Sequence, residues 1–206
     1  MMIQSSKSEL TYTAIVNAAL QIAAAEGVGK LSLGEVAKHL GISKSGVFSR
    51  VGSLEALQEA VLDEFDRRFS AEVFLPSTAL SRGLPRLNSQ VMAWIARASD
   101  PREIAGCLYI AGAFEYDDIE GPLRDRIQYG VTRWRATMRR TVIQAMEAGH
   151  LRPDTDPEQL IFEIYSLIVG LTHDIRLMRD RAAVQRVHNA YNRLISTYRS
   201  FNYQGA

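Results

Sequence analysis

The sequence predicts an all-α protein of about nine helices, with an N-terminal three-helix module followed by a larger helical domain. Three observations carry that reading. Apolar residues recur at helical spacing along nearly the whole chain, and no segment alternates as a strand does. Helix start signals punctuate it: Ser32 with Glu35, Asp100-Pro101-Arg102-Glu103, Gly121-Pro122, and Asp156-Pro157-Glu158-Gln159. Residues 31–50, LSLGEVAKHLGISKSGVFSR, read as two short helices joined by a tight turn.

Taken in order, the first helix is expected over residues 9–26. Ile15, Ala18, Ala19 and Ile22 fall at i, i+3, i+4 and i+7 there, and Gly27 stops it. Ser32 and Glu35 have the S-x-x-E spacing that opens the second, with Val36, Ala37 and Leu40 as its apolar stripe. Gly41 takes the sharp turn, because a positive φ costs glycine nothing sterically. Ser43 caps the third helix, whose first turn holds Lys44, Ser45 and Gly46. Ala37 is small enough for the two helices to cross closely. Ile42 and Val47 are expected to pack inward, leaving Lys44, Ser45, Ser49 and Arg50 outward. That is a helix-turn-helix, whose second helix enters the DNA major groove.

A fourth helix should follow Ser53 and run to about Val73, with Leu57, Val61, Leu62, Phe65 and Phe69 as its core positions. Residues 76–85 look like a linker. Leu84, Leu87, Val91, Trp94, Ile95 and Ala98 mark a fifth helix. The signal at 100–103 opens one through residues 107–116, and Gly121-Pro122 opens another, lined by Leu123, Ile127, Val131, Trp134, Met138 and Met146 and ending near Gly149. The last two helices should span roughly 157–179 and 182–201. The first of these is apolar nearly all round, which implies burial on all sides. The second presents Val184, Val187, Tyr191, Leu194, Ile195 and Tyr198 at heptad-like spacing. Two such helices predict a four-helix bundle with a second copy of the chain.

Composition narrows the function. A chain of 206 residues, 47% apolar, can bury a real core in one or two domains. No apolar run is long enough to cross a membrane. The N-terminus, MMIQSSKSEL, lacks the apolar core of a signal peptide. The single cysteine, Cys107, excludes an internal disulfide and lies in an apolar run, where a buried inert thiol is expected. A reducing cytoplasm is the simplest home. The net charge is only +1, with five basic residues against three acidic ones in residues 1–52. Phosphate attraction is therefore weak for a monomer, and DNA affinity calls for a paired subunit.

Catalytic patterns fail inspection. Asp117 and Asp118 are adjacent and point apart on a helix, and His39, His150, His173 and His188 lack metal-ligand spacing. Gly27-Val28-Gly29-Lys30 has neither the glycine nor the hydroxyl that a phosphate loop requires. No enzyme, metal or cofactor is expected. Arg124, Arg126, Arg133, Arg135, Arg139 and Arg140 read as a solvated face opposite the Trp134–Met138 stripe.

Over residues 11–65, the phrase AALQIAAAEGVGKLSLGEVAKHLGISKSGVFSRVGSLEALQEAV resembles the TetR family of transcriptional regulators in order and spacing. CLYIAGAFEYDDIEGPLRDRI is similar, more loosely, to a segment from one branch of that family. The resemblance implies a DNA-binding domain over residues 1–52 and a ligand-binding and dimerisation domain over 53–206. Ser32 would cap the second helix near a phosphate. Ser43, Lys44, Ser45 and Gly46 would lead the recognition helix into the groove, and Ser49 and Arg50 would reach a base edge or the backbone. Phe48 stands where the family usually has a tyrosine whose hydroxyl meets a phosphate. Leu54 stands where a phosphate-binding lysine is usual, and Val51 replaces the usual phenylalanine. Losing two backbone handles predicts a flatter salt dependence, by roughly one ion for each lost charge.

The resemblance also implies an effector pocket. Trp94, Tyr109, Phe114, Trp134, Met138 and Phe162 are its candidate walls, with His173, Tyr116 and Asp174 as polar groups. The expected function is a cytoplasmic homodimeric repressor, released from a palindromic DNA operator by an apolar small molecule. The alternative is a ligand-binding or scaffold protein whose helix-turn-helix no longer reads DNA, which Phe48, Leu54 and the near-neutral charge favour.

Overall fold

A computed structural model of the chain describes residues 7–100 and 108–203. Among these residues there are nine α-helices: α1 Lys7–Glu26, α2 Leu33–Leu40, α3 Lys44–Val51, α4 Leu54–Phe69, α5 Leu84–Ser99, α6 Leu108–Glu115, α7 Pro122–Glu147, α8 Pro157–Arg176 and α9 Ala183–Tyr198. They contain no strand, only an isolated bridge between Leu151 and Arg199. The expected fourth helix reaches its predicted end in altered form, α4 giving way to a π-helical turn over Ser70–Phe74. Part of the linker-like stretch is a 3-10 turn over Pro76–Ala79. The start signal at Pro101-Arg102-Glu103 and Cys107 lie outside the described residues.

The chain divides into two compact units. The first holds residues 7–68 and 108–129. Ile15, Ala19, Val36, Val47, Leu57, Val61 and Leu62 are fully buried in it. Phe65 meets the ring of Tyr109 edge-on at 5.5 Å. Four of the five expected core positions of α4 lie here, and all four are buried.

One arginine of α7 departs from the expected solvated face. Arg126 has a side chain only 10% exposed. It donates to Glu59 at 2.9 Å, Asp63 at 2.7 Å, Asp66 at 3.1 Å and the Tyr109 hydroxyl at 2.6 Å. Tyr109 in turn donates to Asp66 at 3.0 Å. The physical cause is the carboxylate stripe of α4. Residues 59, 63 and 66 fall on one helix face and need a counter-charge. Burial, reinforced by the Asp66 charge, pushes the Tyr109 phenol well above its ordinary range.

The second unit holds residues 69–100 and 130–203. α5 packs against α8 and the two irregular turns, and α8 packs against α9. Its centre is aromatic. Phe69 stacks on Trp134 with centroids 4.1 Å apart, and Trp94 meets both rings edge-on at 5.3 and 5.4 Å. Tyr191 of α9 donates to Asn88 of α5 at 2.9 Å. The expectation that α8 is buried on every side is corrected for the single chain. Phe162 is 57% exposed, and Ser166, Gly170 and His173 are exposed with it. These positions recur every three or four residues, so they form one outward stripe.

Candidate nucleic-acid interface and effector region

The helix-turn-helix is built by local hydrogen bonds. Ser32 is extended, and its Oγ accepts from the Glu35 N–H at 3.1 Å, opening α2. Gly41 closes α2 at φ 65°, the left-handed region that glycine tolerates. The Ile42 N–H reaches the Ala37 carbonyl at 3.0 Å, and the Gly41 N–H reaches Lys38 at 3.3 Å. This is the paired closure of a Schellman motif. It fixes the backbone of Ile42 but leaves its side chain 38% exposed, correcting the expectation that Ile42 packs inward.

Ser43 opens α3, its Oγ accepting from the Gly46 N–H at 3.0 Å. A Cβ on Gly46 would stand 3.1 Å from that oxygen, so glycine here gives the cap room. Gly52 ends the helix, donating to Phe48 O at 2.8 Å. Within α3 only Val47 is buried. Lys44, Ser45, Phe48, Ser49 and Arg50 are all exposed, with Phe48 at 55%. Ser49 Oγ and Arg50 Nη1 both donate to the Gly46 carbonyl, at 3.1 and 2.9 Å, and Ser45 Oγ lies 3.1 Å from Ser43 Oγ. These are contacts that a nucleic acid would exchange rather than create. Leu54 is half-buried at the start of α4.

The candidate effector residues are divided between the two units, and within the second unit between its aromatic centre and the outward stripe of α8. Trp94 and Trp134 touch, and Met138 is buried one turn beyond Trp134. Phe162 and His173 lie on the outward stripe of α8, where His173 Nδ1 sits 3.0 Å from Asp174. Tyr109 and Phe114 belong to the first unit. There Tyr109 is committed to Arg126 and Asp66, and Phe114 is 67% exposed. The aromatic cluster instead includes Phe69 and Tyr165, the latter 6.2 Å from Trp94. Sequence reasoning gave Phe69 to the core and Tyr165 to a generic apolar helix. The guanidinium of Arg135 lies over the Tyr165 ring at 4.7 Å, a cation–π contact.

An open groove of about 500 Å³ runs between α8 and α9. Phe162, Leu167, Ala190 and Leu194 give it an apolar floor, with Glu163 and Arg193 beside them. Among the described residues no group of His, Cys, Asp and Glu side chains could hold a metal ion, and no helix is long and apolar enough to cross a membrane.

Comparison with known proteins places this geometry. The family model for a tetracyclin repressor-like C-terminal domain matches residues 83–191, more than half of the chain. No curated protein matches. Solved structures share the fold. A TetR-family transcriptional regulator from Cytophaga hutchinsonii superposes with TM-score 0.80 at 19% identity, over 96% of this chain and 98% of that one. A TetR transcriptional regulator from Chloroflexus aurantiacus gives TM-score 0.77 at 22% identity, over 92% and 94%. AibR, solved in complex with isovaleryl coenzyme A and operator DNA, gives 0.70 at 16% identity, over 91% and 97%. With a capped helix-turn-helix at one end and this C-terminal match at the other, the chain belongs to the TetR family of DNA-binding transcriptional regulators.

Proposed function

We propose that the protein is a cytoplasmic homodimeric repressor, with residues 1–52 reading a near-palindromic operator and residues 53–206 carrying the effector site and the dimer interface. The observation that carries this reading is the outward face of α3. A helix with one buried residue, capped by its own serine, keeps its polar side chains for something outside the chain. Lys44 and Arg50 supply charge for phosphates or guanine, Ser45 and Ser49 supply hydroxyls, and Phe48 supplies an apolar surface. Ser32 and Gly46 support the face from the two caps.

The apolar groove between α8 and α9 supports pairing through the last two helices, since exposed Phe162 gains burial only from another chain. Pairing would set two recognition helices about 34–36 Å apart on successive major grooves. The effector is an apolar small molecule taken up in the second unit beside Trp94 and Trp134. It favours a conformation whose recognition helices no longer match that spacing, through a coupling of about 1–3 kcal/mol.

A gel shift on the DNA flanking the protein's own coding sequence, at low salt and without effector, tests the reading. Specific binding is expected, and Lys44→Ala with Arg50→Ala should weaken it about tenfold or more. Unchanged affinity in that double variant would favour a scaffold or ligand-binding protein whose helix-turn-helix no longer reads DNA. The exposed ring of Phe48 and the apolar Leu54 are the features on that side.

A further inference from the structure

One face of α5 carries three buried polar atoms without a partner, Arg86 Nε, Gln90 Oε1 and Trp94 Nε1, and of these side chains only Gln90 and Trp94 are themselves buried in the core of the second unit. Trp94 is 2% exposed, and its indole N–H meets no acceptor. Gln90, one helical turn earlier, is 3% exposed, and its Oε1 meets no donor. The amide's orientation follows from its neighbour. Ser77 Oγ donates to the Phe74 carbonyl at 2.7 Å, so it accepts from Gln90 Nε2 at 3.1 Å. Turning the amide would only exchange an orphaned oxygen for an orphaned NH2. A buried polar group left unsatisfied is costly, so two such groups of opposite sense call for an occupant.

The two groups have opposite sense. Indole Nε1 only donates, and an amide oxygen only accepts. Residues four apart share a helix face, about 6 Å apart along the axis. Around Trp94 stand Phe69, Trp134 and Tyr165. The Trp94–Tyr165 pair is the loosest of these contacts, at 6.2 Å, and Tyr165 is only half-buried. An ionised carboxylate cannot donate to Gln90 and would lose its hydration among these rings. An ether or a ketone accepts but does not donate. A neutral hydroxyl does both.

We propose that this unit binds a neutral hydroxylated molecule, its hydroxyl accepting from Trp94 Nε1 and donating to Gln90 Oε1, its apolar body lying against Trp94 and Tyr165. This names the chemical class of the effector invoked above and rests on that reading.

Trp94 and Trp134 are the only two tryptophans of the chain, so intrinsic fluorescence of the full-length protein reports on this cluster directly. The test titrates 4-ethylphenol against 4-ethylanisole, its methyl ether, with no DNA present. The phenol should give a saturable change at about tenfold lower concentration than the ether. Trp94→Phe, which keeps the ring and Trp134 as reporter, and Gln90→Leu should each cut that preference below about threefold, with the thermal midpoint held or raised. If neither compound saturates, or if the preference survives both variants, the pair is satisfied by a buried water only and the inference falls. That failure would leave operator binding untouched. Conversely, a phenol that saturates here but leaves the gel shift unchanged would uphold the site and overturn the release mechanism.

Discussion

Two helices of this chain, α3 and α5, are held in place by opposite means. α3 has eight residues, one of them buried, and its ends are closed by Ser43 and Gly52. α5 has sixteen, seven of them buried; its N-cap Gly83 has no side chain to offer, and the Leu84 N–H donates instead to the distant His150 ring at 3.1 Å. The first is fixed by neighbours in sequence and spends its side chains outward. The second is fixed by distant rings and takes polar groups into the core with it, including Arg97, which pairs with Glu72. A recognition helix that depended on burial would have no face left for a partner. Under the proposed function, a helix placed beside the effector needs the opposite, since caps alone would give it no contact with an interior ligand.

The sharpest way to break this contrast is to remove an aromatic ring from the second unit. Trp134→Ala should cost about 3–5 kcal/mol in urea unfolding, because Phe69 loses its stacking partner and Trp94 an edge contact. A cost below about 1 kcal/mol would mean that the cluster is not what holds this unit. A smaller loss should follow Arg126→Met in the first unit, about 3 kcal/mol. Asp66, only 14% exposed, loses the guanidinium that Arg126 places 3.1 Å from it. Adding Asp66→Asn to that variant should recover part of the loss, whereas a purely packing role for Arg126 would make the two changes additive.

How far the sequence went follows the same division. The helix-turn-helix was legible residue by residue, since a capping serine, a left-handed glycine and a second capping serine are all written within twenty positions. Ile42 escaped because hydrophobicity alone does not say that a Schellman closure uses its backbone and leaves its side chain outside. Arg126 escaped for a different reason. Its carboxylate partners stand 60 to 67 residues earlier, and only packing brings them to it. The aromatic cluster was half legible. Trp94 and Trp134 stood out at helical spacing, but nothing in the pattern joins them to Phe69. The orphaned atoms of Gln90 and Trp94 have no sequence signature at all, because whether a polar group is satisfied is a property of three-dimensional neighbours.

Ser43→Ala sharpens the contrast from the side of α3. It should cost about 1 kcal/mol, the usual worth of such a cap. The effect should be local, with faster amide exchange over α3 and little change in the second unit. Operator affinity should fall with it, since the groups that would touch DNA ride on that helix. Uniform loss of protection across both units would mean that α3 is no more independent than α5.

The smallest expected effect is a pH dependence confined to the first unit. Glu64 accepts from Arg67 Nε at 2.7 Å and from Arg68 Nε at 2.7 Å, and Arg68 also reaches Asn17 of α1 at 2.6 Å. Hydrogen bonding from Arg67, helped by Arg68 and their charges against an opposing burial effect, lowers the Glu64 carboxyl from 4.5 to about 2. A depressed carboxyl stabilises the folded state above its unfolded pKa, and that contribution fades as pH falls from about 4.5 towards 2. Both arginines are more than a third exposed, so screening by water and salt trims the gain to about 0.5–1 kcal/mol. Glu64→Gln should lower stability by that amount at pH 7 and by only a small remainder at pH 2, where the folded carboxyl is about half protonated. The two unfolding curves should therefore converge as acid is added. Added salt at pH 7 should narrow the gap in the same direction, while a gap undiminished at pH 2 would assign the role of Glu64 to packing rather than charge.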